Sequence, residues 1–421
     1  MEKILFILLI VIVSVSFVFK QIVDYLNSKH WCNGLPDSLK SIITDDQYKK
    51  SVSYYKENEN ISRINEWFSF VILISALFLG FFGWLNNIIS QYTTHYIFLP
   101  LLFFGFLGIA SGIISLPFEV YSTFVIEERF GFNKTTIKLY ILDKLKGILL
   151  ATIIGGGIMS VILYIYHSTG EWFWILALIV ITLFSIFFSM FYSSLIVPLF
   201  NKQKPLEEGE TRSAIEAFAQ KVGFKLDNIF VIDGSKRSTK ANAYFSGLGK
   251  KKRIVLYDTL ISTHTTSELV AVLAHEIGHY KHKHIQKGMV LSILETGVML
   301  YLLSRFIDPN TAFAKDMCAA LGANIPSFHI GILAFGILYS PISSVLSSFS
   351  NKLSRHFEFQ ADRYAGTYSD AKDLQTALKR LSVDHLSNLN PHPLYVFIHY
   401  SHPPLIQRLA GLEEVQNELK Q

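Results

Sequence analysis

Apolar runs long enough to cross a bilayer constrain this chain more than any other feature. About 18 or more apolar residues in a row mark a spanning helix, because lipid offers no partner to an open backbone N–H or C=O. Seven runs qualify: Ile4 to Phe19 (slightly short), Trp67 to Ile88, Ile97 to Phe118, Ile148 to Tyr166, Trp172 to Leu199, Met289 to Phe306 and Phe328 to Phe349, the last two with polar interruptions. Ser14-Val15-Ser16 gives the first run a rival reading as a secretory signal. The apolar run continues past the serines, which disfavours it. Composition agrees with a membrane protein: 17% of the residues are charged, against about 25% in soluble domains. The net charge of +5 is too slight for a nucleic-acid binder and suits the basic loops of a membrane protein. Cys32 and Cys318 sit in no metal-ligand spacing and give no disulfide framework.

Lysine and arginine bias orients the spans. The loop after the first run carries Lys20, Lys29, Lys40, Lys49, Lys50, Lys56 and Arg63, and the loop after the third carries Arg129, Lys134, Lys138, Lys144 and Lys146. The loops 91–96 and 167–171 have none, and 307–327 has only Lys315. The basic side is the cytoplasmic one, so seven spans put the N-terminus outside and the C-terminus inside. The cysteines then fall on opposite faces. Four segments follow: residues 1–200 with five spans, a polar cytoplasmic insert at 201–287, two more spans at 288–350, and a cytoplasmic tail at 351–421.

The insert reads as a small α+β unit. Thr211 to Val222 has helical periodicity, and Asn228 to Ile232 is strand-like. Asn242 to Phe245, a Gly247-Leu248-Gly249 turn and Arg253 to Tyr257 form a predicted hairpin. Ser267 to Lys283 is the next predicted helix, with Thr266 as N-cap and Thr263 as its rival.

That helix carries Ala274-His275-Glu276-Ile277-Gly278-His279. Helix positions i and i+4 share a face, so His275 and His279 can hold one zinc ion, and Glu276 points almost the same way, where it can take a proton from water. Gly278 leaves room beside the metal. A catalytic zinc takes three protein ligands and leaves a fourth position open. Downstream, Arg355-His-Phe-Glu-Phe-Gln-Ala-Asp-Arg363 places Glu358 and Asp362 on one face, the first as a third ligand and the second as hydrogen-bond acceptor for a ligand histidine. The bland alternative is an acidic face paired with Arg355 and Arg363. His282 is a rival third ligand, poorly placed because it lies along the same helix axis.

Seven stretches now coincide with one family: Ser122-Thr-Phe-Val-Ile-Glu-Glu-Arg-Phe-Gly-Phe-Asn-Lys134, Asp233-Gly-Ser-Lys-Arg237, Asn242-Ala-Tyr-Phe245, Arg253-Ile-Val-Leu-Tyr-Asp-Thr259, the histidine motif, Phe357-Glu-Phe-Gln-Ala-Asp362 and His399-Tyr-Ser-His-Pro-Pro-Leu405. The chain resembles the type I CAAX prenyl proteases, integral-membrane zinc metalloproteases. The resemblance implies an α-helical multi-pass fold of seven transmembrane helices around a water-filled chamber, capped on the cytoplasmic side by a small α+β gluzincin-like zinc domain. It implies one Zn2+ on His275, His279 and Glu358, Glu276 as base, and His402 as stabiliser of the oxyanion. Asn242 falls where the family has an edge strand that holds the substrate backbone. The implied partners are the lipid bilayer and a protein or peptide with a prenylated C-terminus, from which three residues are removed. Some members also cut upstream. The tail Glu418-Leu-Lys-Gln421 has no dilysine ER-return signal, which resembles a bacterial plasma-membrane member; a eukaryotic one belongs in the ER membrane.

Glu295 and His329, inside the sixth and seventh runs, are expected to line the chamber. His356 and His399 are expected to support the site without taking part in the chemistry. Two other functions compete: a quality-control protease for membrane proteins, and a non-enzymatic membrane module with a structural zinc. Glu276 argues against the second, since a structural zinc site needs no base.

Overall fold

The computed structural model describes residues 1–31, 39–40, 42–224, 229–246, 253–323 and 325–421. Cys32 and the Gly247-Leu248-Gly249 turn lie outside them. Among the described residues, six helices are long and apolar enough to cross a membrane: Glu2–Trp31, Asp45–Phe78, Phe98–Glu127, Ile137–Phe200, His284–Phe306 and Phe328–Tyr368. The fourth holds two of the expected runs. Its helix turns at Gly170–Trp172, where Gly170 takes φ 52, and Phe173–Leu195 returns as a separate helix. The run Trp67 to Ile88 is not one span. Its helix stops at Phe78, and Gly80 at φ 63 opens a short second helix, Phe81–Ser90. Hydropathy alone misses such a break, because Gly80 leaves the apolar run intact while supplying the left-handed backbone that redirects it.

The polar insert builds a four-stranded sheet from β1 (Gln203–Pro205), β2 (Ile229–Ile232), β3 (Ala243–Ser246) and β4 (Arg253–Tyr257), in the order β1-β2-β4-β3. The predicted hairpin is present: Ala243 faces Leu256 and Phe245 faces Ile254 in an antiparallel register. β2 lies parallel to β4, and β1 pairs antiparallel with β2. β1 was not legible, since three residues ending in proline carry no alternation. β3 is an edge strand, with no second strand partner among the described residues.

One face of this sheet packs on the helices Glu210–Lys221 and Thr266–Lys281 around Ile215, Phe218, Ile254, Leu256, Leu269 and Leu273. Thr266–Lys281 is the motif helix, and its N-cap is Thr265 rather than Thr266 or Thr263. The Thr265 hydroxyl accepts from the Glu268 N–H while the Glu268 carboxylate accepts from the Thr265 N–H. That reciprocal pair needs an acid three residues on, which Thr265 has and its neighbours lack.

The helix Phe328–Tyr368 runs 41 residues without interruption, about 60 Å. Its first half is an expected span, and its second half carries Glu358 and Asp362 across the motif helix. Gly278 is where the two helices meet. A Cβ there would lie 3.0 Å from Ala361 Cα and 3.1 Å from both Ala361 O and Tyr364 Cβ. The missing side chain therefore makes room for a neighbouring backbone, not for a metal. We expect Gly278→Val to separate the two helices at a cost of about 1–3 kcal/mol, read as a lowered melting temperature in detergent, whereas an unchanged Tm would show that the backbones have room to part.

Candidate metal centre and peptidase site

The motif helix and the long helix cross with their polar positions facing. His275 Nε2 and His279 Nε2 are 3.1 Å apart. Glu358 Oε1 is 3.2 Å from His279 Nε2, and Glu358 Oε2 is 3.5 Å from His275 Nε2. A tetrahedron with bonds of about 2.1 Å has edges of about 3.4 Å, so each of these separations is close to one edge of such a shell. Glu358 is buried, with its Oε2 beyond close hydrogen-bond reach but 3.5 Å from His275 Nε2 and 3.6 Å from the Arg408 guanidinium. A buried carboxylate oxygen without a close hydrogen bond keeps acceptor capacity for a metal ion. The three side chains could hold a metal ion, and they are the one such group among the described residues. His282 is exposed and stacks on His284 instead.

Asp362 Oδ1 lies 2.8 Å from His275 Nδ1. Burial disfavours a charged imidazole at His275, but the Asp362 and Glu358 carboxylates beside it outweigh burial and raise its pKa to about 9. The pocket is thus electrostatically prepared for positive charge. The acidic pair does not rest on Arg355 and Arg363: Arg355 donates to the carbonyls of Val396 and Tyr400, and Arg363 pairs with Glu418.

Arg408, which sequence reasoning missed, grips Asp362 instead. Its Nε and a terminal nitrogen donate to the two carboxylate oxygens at 2.8 and 2.6 Å. Nothing in the chain links residues 46 apart, so only the return of the helix Leu405–Lys420 across the long helix reveals the pair. Arg408→Met would leave Asp362 buried with His275 as its remaining partner and one oxygen unsatisfied, a loss of about 1–3 kcal/mol, and a fall in melting temperature of the purified protein is the expected reading.

A cleft of about 580 Å³ gathers the remaining candidates: Asn242, His275, Glu276, Glu358 and His402 all line it. Asn242 immediately precedes β3 and is exposed. His402 is exposed too, with Nε2 3.4 Å from Glu358 Oε1 and Nδ1 3.0 Å from the Ser401 hydroxyl. Lys240, just before this edge, is held by Glu127 at 3.0 Å and by the Tyr54 hydroxyl at 2.9 Å. These contacts anchor the insert to two membrane helices.

The polar residues of the spans lie elsewhere. His329 does not line a chamber: it is 2% exposed, bonds Asn86 Oδ1 at 2.8 Å and packs on Phe103. Glu295 accepts from the Ser350 hydroxyl at 2.8 Å. His399 is exposed, beside the ring of Tyr395.

Two family models tile the chain. "CAAX prenyl protease N-terminal, five membrane helices" matches residues 24–202, and "Peptidase family M48" matches residues 205–416. The chain belongs to peptidase family M48. Among similar proteins, the CAAX prenyl protease 1 homolog of Arabidopsis thaliana is 36% identical over 90% of each chain. CAAX prenyl protease 1 of Saccharomyces cerevisiae is 40% identical over 73% of this chain and 70% of its own. The crystal structure of S. mikatae Ste24p superposes with a TM-score of 0.91 at 33% identity, covering 97% of this chain and 99% of that one. This M48 peptidase is accordingly an integral multi-pass membrane metalloendopeptidase, and the convergence of His275, His279 and Glu358 agrees with the metal that the family uses.

Proposed function

We propose that this M48 peptidase uses one zinc ion, held by His275, His279 and Glu358, to remove the last three residues of proteins whose C-terminal cysteine carries an isoprenoid. The observation that carries the reading is the cleft in which two of the candidate ligands, His275 and Glu358, meet Glu276, His402 and the open side of β3, with His279 converging on the same two ligands. The relatives named CAAX prenyl protease 1 support the substrate class. A zinc ion held by these residues would supply Lewis acidity toward the scissile carbonyl and make water acidic enough to ionise near neutral pH. Glu276 takes the proton from the attacking water and returns it to the leaving amine. His402 donates to the developing oxyanion through Nε2. Asn242 and the outer edge of β3 align the substrate backbone by strand addition. Asp362 fixes the ring of His275, and Arg408 fixes Asp362. The lysine and arginine bias of the loops puts the cleft on the cytoplasmic side.

The test is mass spectrometry of cleavage on matched peptides, one farnesylated at the cysteine and one not. Burial of even two methylenes of an isoprenoid contributes about 1.6 kcal/mol, more than tenfold, so we expect kcat/KM to be more than about tenfold higher for the farnesylated peptide. Equal cleavage of both would overturn the prenyl reading and point to a broader membrane-protein protease.

A further inference from the structure

The two histidines of the motif are held from behind in different ways. His275 presents Nδ1 to a carboxylate, Asp362. His279 presents Nδ1 to a third histidine: His284 Nδ1 is 3.0 Å away. From there His284 Nε2 lies 2.8 Å from Gln360 Oε1, and Gln360 Nε2 lies 3.0 Å from His356 Nε2. We propose that His284 is the positioning residue for His279, and that Gln360 holds His284 in the one tautomer that can serve. The proposal rests on the reading of His279 as a metal ligand through Nε2.

The donor inventory leaves one assignment. A neutral imidazole that gives Nε2 to a cation carries its proton on Nδ1. His279 Nδ1–H therefore donates, and His284 Nδ1 accepts. Having accepted at Nδ1, His284 bears its proton on Nε2, which donates to the Gln360 carbonyl. The Gln360 amide N–H is then free to donate to His356 Nε2. Every donor in the row meets an acceptor, and no group has to be charged.

Local structure is arranged for this contact. His284 is only five residues beyond His279, and a continuing helix would carry it further along the axis. Instead Lys283 takes φ 56 and ψ 37, a left-handed conformation that costs a side-chain-bearing residue about 1–2 kcal/mol. The helix breaks there, and His284 lies beside His279. The ring is 5% exposed and stacks on Phe357 with centroids 4.2 Å apart and planes 10° apart. Stacking fixes the ring plane, and the two in-plane bonds fix its rotation. Phe357, Glu358 and Gln360 share the long helix, so one element supplies the candidate third ligand, the platform for His284 and the acceptor that sets its tautomer.

The test measures zinc affinity of the full-length protein in detergent by competition with a chromophoric chelator, together with the visible absorption of the cobalt-loaded form. His284→Phe keeps the stacking and removes the acceptor. Gln360→Leu removes the group that sets the tautomer, while Gln360→Glu keeps an acceptor for His284 Nε2. We expect His284→Phe and Gln360→Leu to weaken zinc binding about 10–100-fold and to alter the cobalt bands, with Gln360→Glu at least as tight as the parent. A folded His284→Phe protein with parental affinity and cobalt spectrum would overturn the proposal. If that variant does not fold, equal affinities for Gln360→Leu and Gln360→Glu would overturn it instead. A His279→Ala control separates the two layers, since retention of parental affinity there defeats the ligand reading itself.

Discussion

Replacing Glu276 by glutamine is expected to leave a folded, metal-loaded protein whose kcat is lower by about 10²–10⁴-fold, the usual worth of a positioned general base. The exchange is isosteric, so the cleft that Glu276 lines with His275, Glu358 and His402 keeps its shape. Glu276 is not among the three side chains that could hold the metal, so metal content measured on the same sample should not change. What disappears is the lone pair that takes a proton from water. Because the amide still makes polar contacts, KM for a peptide should move little while kcat falls. Turnover near the parental rate would remove Glu276 from the role of base, and metal loss with it would move the residue into the shell of ligands.

Glu358→Ala should have the opposite signature: metal content falls first, and activity follows. Glu358 is buried, and its two oxygens reach toward both histidine nitrogens. If about 10–16 kcal/mol of zinc binding is shared among a few ligands, deletion of one costs several kcal/mol, more than about 100-fold in affinity. Elemental analysis after dialysis should fall from one zinc per chain to nearly none. His275 and His279 remain at their helical spacing in this variant, so retained zinc would mean that two histidines and some other group suffice. A partial return of metal in Glu358→Asp would show that the carboxylate, rather than its bulk, is what counts.

Much of the site was written into short spacings. His275 and His279 four apart, with Glu276 between them, need only a helix to converge, and Glu358 and Asp362 four apart need only another. Long apolar runs likewise require little beyond the bilayer to become helices, and the edge hairpin from Asn242 to Tyr257 followed from alternation around a glycine turn. Other features rested on geometry that no spacing encodes. Gly80 broke an expected span without interrupting its hydropathy. Thr265 rather than Thr266 capped the motif helix because the reciprocal acid at Glu268 decided between neighbours. His329 found Asn86, 243 residues away, and so became packing instead of chamber lining.

The sequence by itself determined the chemistry that could occur: two helical histidines, an adjacent glutamate and a downstream acidic pair, all on a chain that must lie in lipid. It did so because each of those signals is local, repeating at the period of the helix or extending over the length of a span. The tertiary structure decided which residues hold that chemistry in place. Arg408 against Asp362, His284 against His279 and Lys240 against Glu127 are contacts between elements far apart in the chain or across a helix break. Their energy comes from burial and from polar groups that find partners on other elements, and the crossing that sets the two histidines against Glu358 forms where the glycine at 278 lets two backbones meet.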